Sequence, residues 1–118
     1  MAASNIPLLT GAILYTNTDV DETEDDISAA AVTIYEIELD NTANAAATYY
    51  KFYNTNTVTV GTTAPDMIFM VAASVSRTIV IPSGLAFATA LTVAAVTAGG
   101  TAGVTGPTSA ATVKLVYV

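Results

Sequence analysis

The sequence contains neither cysteine nor histidine, and only three cationic side chains, Lys51, Arg77 and Lys114. Without cysteine, no disulfide and no thiolate metal site holds the fold together. Without histidine as well, the commonest general base and the strongest side-chain nucleophile are both missing. Serine and threonine are plentiful, but a hydroxyl nucleophile needs a base beside it, and neither Lys51 nor Lys114 stands in a Ser-x-x-Lys arrangement. We therefore expect no enzyme and no cofactor. Three scattered cations against ten carboxylates give a net charge of −7. Such a chain cannot neutralise a run of phosphates, so nucleic acid is not an expected partner.

Charge of either sign is scarce. Charged residues make up 11% of the chain and hydrophobic residues 53%, where an average soluble domain carries about 25% charged residues. Much of the surface must be neutral. Neutral apolar surface tends to be covered by something, which favours a subunit of an assembly over a free monomer. The length of 118 residues is one domain's worth. The amino-terminal stretch MAASNIPLLTGAILYTN has no positive charge ahead of its apolar residues and is interrupted by Asn5 and Pro7, so a secretory signal is not expected. The run from Thr78 to Val113 is free of charge. Pro82, Ser83 and Gly84 divide it into pieces too short to cross a membrane, so no membrane partner is expected.

What the chain does have is a period of two. From Leu85 to Thr97, the residues Leu85, Phe87, Thr89, Leu91 and Val93 fall on one face and Ala86, Ala88, Ala90, Thr92 and Ala94 on the other, which predicts a single strand. AVTIYEIELD sets Tyr35, Ile37 and Leu39 against Ile34, Glu36 and Glu38, and only one of those faces can be wet. ATYYKFYN sets Tyr50 and Phe52 against Tyr49, Lys51 and Tyr53, and the intervening NTANAA is turn-like. Further strands are predicted over Ile6–Thr16, Thr57–Val60, Met67–Ala72, Val75–Ile81 and Thr112–Val118, about eight in all. The turns GTTAPD, PSG and AGGTAGVTGPTSA separate them, the last as a long uncharged flexible loop. The expected fold is all-β, an antiparallel β-sandwich of jelly-roll type, with an up-and-down barrel as rival. Residues 1–26 are expected to form an amino-terminal strand or arm with an acidic loop, and residues 27–118 the sandwich.

Three features invite a functional reading. The cluster DVDETEDD gathers Asp19, Asp21, Glu22, Glu24, Asp25 and Asp26, six of the ten acids. Asp19 and Asp21 have the opening spacing of an EF-hand loop, but Thr23 stands at the third ligand position, Glu24 where Gly is required and Ala30 where the bidentate Glu belongs. It reads as a solvated loop, with a weak cation site at Asp19, Asp21, Asp25 and Asp26, or a contact with a basic partner, as the alternatives. The aromatics Tyr49, Tyr50, Phe52 and Tyr53 around Lys51 have the composition of a stacking platform. In a period-two strand half of them point inward, so a cross-strand packing ladder is expected instead. The threonine-rich run from Thr55 to Thr63 lacks the strict repeat of an ice-binding array.

The order of several phrases carries a resemblance. IYEIELDNTANAAATYYKFYN, TVTVGTTAPDMIFMV, SVSRTIVIPSGLAFATALTVAAVT and the closing VKLVYV, from Val32 to Val118, resemble a family of small β-sandwich virion proteins of tailed phages. Its members carry an I-x-N-T phrase, matched here by Leu39–Thr42, and a YxKxY(N/D) strand, matched by Tyr50–Asn54. A VGTxxP turn corresponds to Val60–Pro65, an IPxGLxFxTGL segment to Ile81–Leu91 and a terminal V-x-L-x-YV to Val113–Val118. Ala90 departs from a common glycine, and the acidic insert before Ile27 lies outside the pattern. The resemblance implies a virion surface protein, trimeric in its capsid decoration (cement) members. On that basis the expected function is stabilisation of a phage shell from its outer surface, with the major capsid protein and two further copies of the chain as partners. A fibre or tail protein, or an adhesive carbohydrate-binding module, is the alternative. The expected capsid or subunit contacts are Ile6, Leu8, Leu9, Ile13 and Tyr15, as an arm or equally as the first strand, and Val104 and Thr105 at the tip of the loop Gly99–Ser109, as a spike or a trimer contact.

Overall fold

Alternating β-branched and aromatic residues make the strands, and the phase of each alternation decides what is buried. The computed structural model describes residues 11–118. Among them it has eight strands, β1 (Ile13–Val20), β2 (Asp25–Ser28), β3 (Val32–Asp40), β4 (Thr48–Tyr53), β5 (Met67–Val71), β6 (Ser76–Phe87), β7 (Leu91–Val96) and β8 (Ala111–Tyr117). No helix among them is long and apolar enough to cross a membrane. The strands form two four-stranded antiparallel sheets, ordered β1-β8-β3-β6 and β2-β7-β4-β5, hereafter sheet 1 and sheet 2. Only the β4–β5 connection stays within a sheet; every other crosses the sandwich, which is jelly-roll connectivity.

The core lies between the sheets. Ile34, Ile37, Leu39, Val113 and Leu115 of sheet 1 meet Tyr50, Phe52, Leu91, Val93 and Ala95 of sheet 2. Phe52 anchors it, edge-on to Phe69 with ring centroids 5.4 Å apart and tilted against Phe87 at 6.5 Å. The sides of the sandwich are tied by polar contacts. Asn17 of β1 donates to Asp25 Oδ2 of β2 at 2.9 Å, and Arg77 of β6 donates to the Met70 carbonyl of β5 at 3.2 Å.

Strict alternation fails at three places. Ile34 and Ile37 are both buried although an odd spacing puts them on opposite faces. A bulge at Tyr35 resolves the conflict: β8 passes from Tyr117 to Val116 while β3 passes from Ile34 to Glu36. Opposite the same bulge, β6 steps from Val80 to Leu85. Pro82, Ser83 and Gly84 therefore form an excursion within one long edge strand instead of ending it, and an edge tolerates proline because its outward N–H has no ladder partner. Conversely, the single strand predicted over Leu85–Thr97 is two, since the chain leaves sheet 1 after Phe87 and enters sheet 2 at Leu91. Leu85 and Phe87 before the crossing and Leu91, Val93 and Ala95 after it all pack at the core, with only Thr89 between them turned out to solvent, which is why the alternation looked continuous.

Two further expectations are corrected. Thr57–Val60 is a loop, not a strand, whereas Asp25–Ser28 is an unforeseen one, so the total of eight is reached with different members. The first described strand begins at Ile13, and the expected boundary between residues 26 and 27 falls inside β2. The stretch ending at 26 thus supplies one edge strand, β1, and part of another, β2. The portion of the predicted Ile6–Thr16 strand before residue 11 lies outside the described residues.

Candidate functional site

The two outward faces of the sandwich are unlike. On sheet 2, adjacent outward residues of β4 and β7 pair as Tyr49 with Val96, Lys51 with Ala94 and Tyr53 with Thr92. Such a face would ordinarily meet water, yet Lys51, Tyr53, Thr92, Ala94 and Val96 are all fully buried. Two loops cover them. The segment after β4 lays Val58 and Val60 over Tyr53 and Ala94. The loop after β7 caps Lys51, whose ammonium donates to the carbonyls of Thr101 at 3.1 Å and Gly103 at 2.9 Å. The loops touch each other where Val104 packs over Gly61, leaving no room for a Cβ there. Burial holds the Lys51 ammonium below the ordinary lysine range.

The core between the sheets and this closure together decide the aromatic cluster. Tyr50, Phe52 and Tyr53 are fully buried and Tyr49 is half-buried, so they pack and do not present a stacking platform. Tyr50 donates its hydroxyl to the Asp40 carbonyl at 3.0 Å, while the buried Tyr53 hydroxyl has no hydrogen-bond partner among the described residues. Burial raises both phenols above the ordinary range, reinforced by the charge of Asp40 at Tyr50 and of Glu24 at Tyr53. The loop expected to be flexible is pinned, by Lys51 and by the Thr97 amide on the Thr105 carbonyl at 2.9 Å. At its tip Val104 is 55% exposed and Thr105 is exposed.

At one end of the sandwich a buried amide joins three segments. Asn41 Nδ2 donates to the carbonyls of Ala46, Val71 and Ala72. Its Oδ1 accepts from Asn44 at 3.0 Å and from Thr48 at 2.7 Å. Asn44 Oδ1 in turn accepts the Ser109 amide at 2.8 Å. The Asn-rich phrase after β3 is therefore a structural clamp as well as a turn.

The acids of the amino-terminal cluster do not converge. Among the described residues no group of three or more carboxylates is placed to hold a metal ion. Asp19, Asp21, Asp25 and Asp26 are engaged with, or adjacent to, the chain itself. Asp21 Oδ1 accepts the Thr23 amide and Asp26 Oδ1 accepts from Thr92 Oγ1 of β7. Asp25 holds Asn17, whose Oδ1 accepts the Asp19 amide. Asp25 and Asp26 are consecutive on a strand and so point to opposite faces. Burial raises the Asp25 carboxyl above the usual range, against the lowering effect of its Asn17 bond, and the charges of Asp21, Asp19 and Glu24 add to the rise.

Sheet 1 is open by contrast. Registers place Leu14, Val116, Glu36 and Val80 in one cross-strand row, and Thr16, Lys114, Glu38 and Thr78 in the next. Leu14 is 69% exposed and Val80 65%. A shallow depression of about 110 Å³ lies between Leu14, Glu36, Glu38, Lys114 and Val116. The sequence marked the Glu36/Glu38 face of β3 as a candidate for the wet side, but not the neighbours that complete it. Of the expected contacts, Ile6, Leu8 and Leu9 lie outside the described residues. Ile13 is half-exposed at the start of β1. Tyr15 packs against the core and accepts from Asn17 at 3.1 Å, so it serves the sandwich as part of its first described strand.

No protein-family model, no curated protein and no solved structure matches the chain.

Proposed function

We propose that the chain is a capsid decoration (cement) protein of a tailed phage, bound as a homotrimer to the major capsid protein on the outer surface of the virion. The observation that carries the reading is the unequal closure of the sandwich. The β4–β7 centre of sheet 2 is sealed by loops of its own chain, which leave Met70 exposed only at the β5 edge. Sheet 1, by contrast, leaves Leu14 and Val80 exposed with Val116 half-buried between them. A domain built to remain alone has no use for an apolar row of that kind. The order of the phrases from Val32 to Val118 and the low charge support the same reading. Jelly rolls recur in capsid and lectin domains, so the fold by itself does not separate the two. Burial of Tyr50, Phe52 and Tyr53 disfavours the carbohydrate-binding alternative, because stacking on sugars needs those rings exposed.

The mechanism is mechanical. Three copies over a local three-fold junction hold adjacent shell subunits against the pressure of packaged DNA, and a net charge of −7 keeps the protein on the side away from that DNA. Each contact needs on the order of 1,200–2,000 Å² of total buried surface, and repetition around the three-fold adds avidity. The free edge of β1 with the residues before Ile13, and the tip at Val104 and Thr105, are the proposed shell contacts. The test is electron cryomicroscopy of parent particles with and without the protein, together with their heat resistance. Density in threes on the outer surface and a lower disruption temperature in its absence are expected. A location inside the shell or only on the tail would sink the proposal.

A further inference from the structure

We propose that copies of this chain associate through the outward face of sheet 1, with Lys114 of one copy set against Glu36 of the next. The inference deepens the assembly reading above and rests on it only for the number of copies.

The occupant is argued from charge and from area. A chain of net charge −7 repels itself, so copies can meet only where their charge is locally mixed. Lys51 is buried and Arg77 is turned to the Met70 carbonyl at the β5–β6 side, which leaves Lys114 as the cation in the middle of an exposed face. Its own register partner is Glu38. Glu36, one pleat along, is flanked by Val116 and Val80 and has no cation beside it in its row. A carboxylate centred in an apolar row is a poor solvent face, but it is a good receptor for a cation whose pairing the surrounding valines then shield from water. A second copy supplies that cation, a complementary acid and the same apolar row together. Each copy can give Lys114 to one neighbour and Glu36 to another, closing a ring, or exchange both with a single neighbour.

The area makes these charges decisive. Four strands about 4.8 Å apart, with about seven residues at about 3.3 Å each, span on the order of 400 Å² in plan. A stable contact of standard size needs about 800 Å² of accessible surface per partner. Even with the relief of the side chains the whole face must be used, and a like-charge clash near its centre has no room to be avoided.

The experiment is native mass spectrometry and sedimentation equilibrium on the full chain, as wild type, Lys114→Glu, Glu36→Lys and the double exchange. Each single reversal should weaken association by about tenfold or more, with a dependence on salt, and the double exchange should restore it. Both positions are exposed, so unchanged melting temperatures establish that the variants are folded, and Asp19→Lys serves as a charge control that leaves association intact. A wild type that stays monomeric, or single reversals that assemble like the wild type, overturns the proposal. So does a pair of variants that still self-associate but no longer attach to shells, because the face then belongs to the shell. A wild-type dimer dissociated by both single reversals upholds this interface and removes the trimer from the reading of the previous section.

Discussion

Lys51 Nζ stands 2.9 Å from the carbonyl oxygen of Gly103, so the only cation of β4 serves as a peg for the loop that covers its own sheet. An ammonium buried without a carboxylate is tolerated because two peptide dipoles, those of Thr101 and Gly103, receive its protons.

Removing that peg should open the cover. Lys51→Ala loses both bonds and the packing of the alkyl chain, and should cost about 2–4 kcal/mol. Lys51→Met keeps most of the volume and should cost less. Urea titration gives the stability, and limited proteolysis should cut the Ala variant within residues 97–110 before the rest of the chain. Equal resistance of wild type and Lys51→Ala in that loop would show that the contact does not hold it.

Asn41 supplies donors and an acceptor that no apolar residue replaces. Asn41→Ala leaves the carbonyls of Val71 and Ala72 and the hydroxyl of Thr48 to find other partners in a buried site. It should cost about 3 kcal/mol or more. Asn41→Asp should be no better, because a carboxylate would face the carbonyls that the amide now satisfies. Thermal unfolding of the two variants distinguishes this clamp from an ordinary turn, where either change would cost well under about 1 kcal/mol.

Gly84 and Gly100 both have φ of 81°, but they differ in their surroundings. A Cβ at Gly84 would run into the Thr33 methyl and come within 3.2 Å of the Tyr35 ring, whereas at Gly100 it would meet nothing within 4 Å. Gly84→Ala should therefore lose about 2–3 kcal/mol, strain and collision together, and Gly100→Ala only the backbone strain of about 1 kcal/mol. Amide spectra should place the disturbance of the former at the β3 bulge. Similar losses in both would remove the close packing as a cause.

Alkaline pH should unfold the protein through its buried phenols. Burial raises Tyr50, Tyr53 and Tyr15 above the ordinary value of 10.0. The unfolded chain then releases these protons first, so the stability they contribute is full below pH 10 and is lost as pH climbs towards their folded values. Lys51 acts in the opposite sense. Its value is lowered from 10.5 by burial, so its contribution improves as pH rises to that point and then stays constant. Three phenols against one ammonium give a net loss above pH 10. Phenolate absorbance from the buried rings should appear together with the loss of β-sheet dichroism; their full ionisation in a still-folded chain would contradict the burial.

Much of the fold was legible because strand alternation is a local property. Tyr50 and Phe52 declare the inner face of β4 within a few residues, and the same holds for Val113 and Leu115 in β8. What escaped were the places where a neighbour changes the phase. Ile34 and Ile37 share a face only because β3 bulges against β8. Pro82 to Gly84 looked like a stop because the edge position that tolerates them depends on which strand lies beyond β3. Leu85 to Thr97 read as one strand because the inward phase survives the crossing between sheets. Val58 looked like a strand residue, and its alternation with Val60 was real, but the partner it packs against is the back of Tyr53.

The chain's own residues thus determined that it is a β-sandwich, where most of its strands lie and which side chains fill its middle, since a side chain's direction along a strand follows from the backbone beneath it. The candidate interaction surface was decided by tertiary structure alone. Both outward faces carry similar mixtures of small, apolar and charged residues, and nothing local distinguishes Lys51 from Lys114. Loops distant in sequence close over the first and leave the second in the open, because burial depends on what the rest of the chain brings to a face.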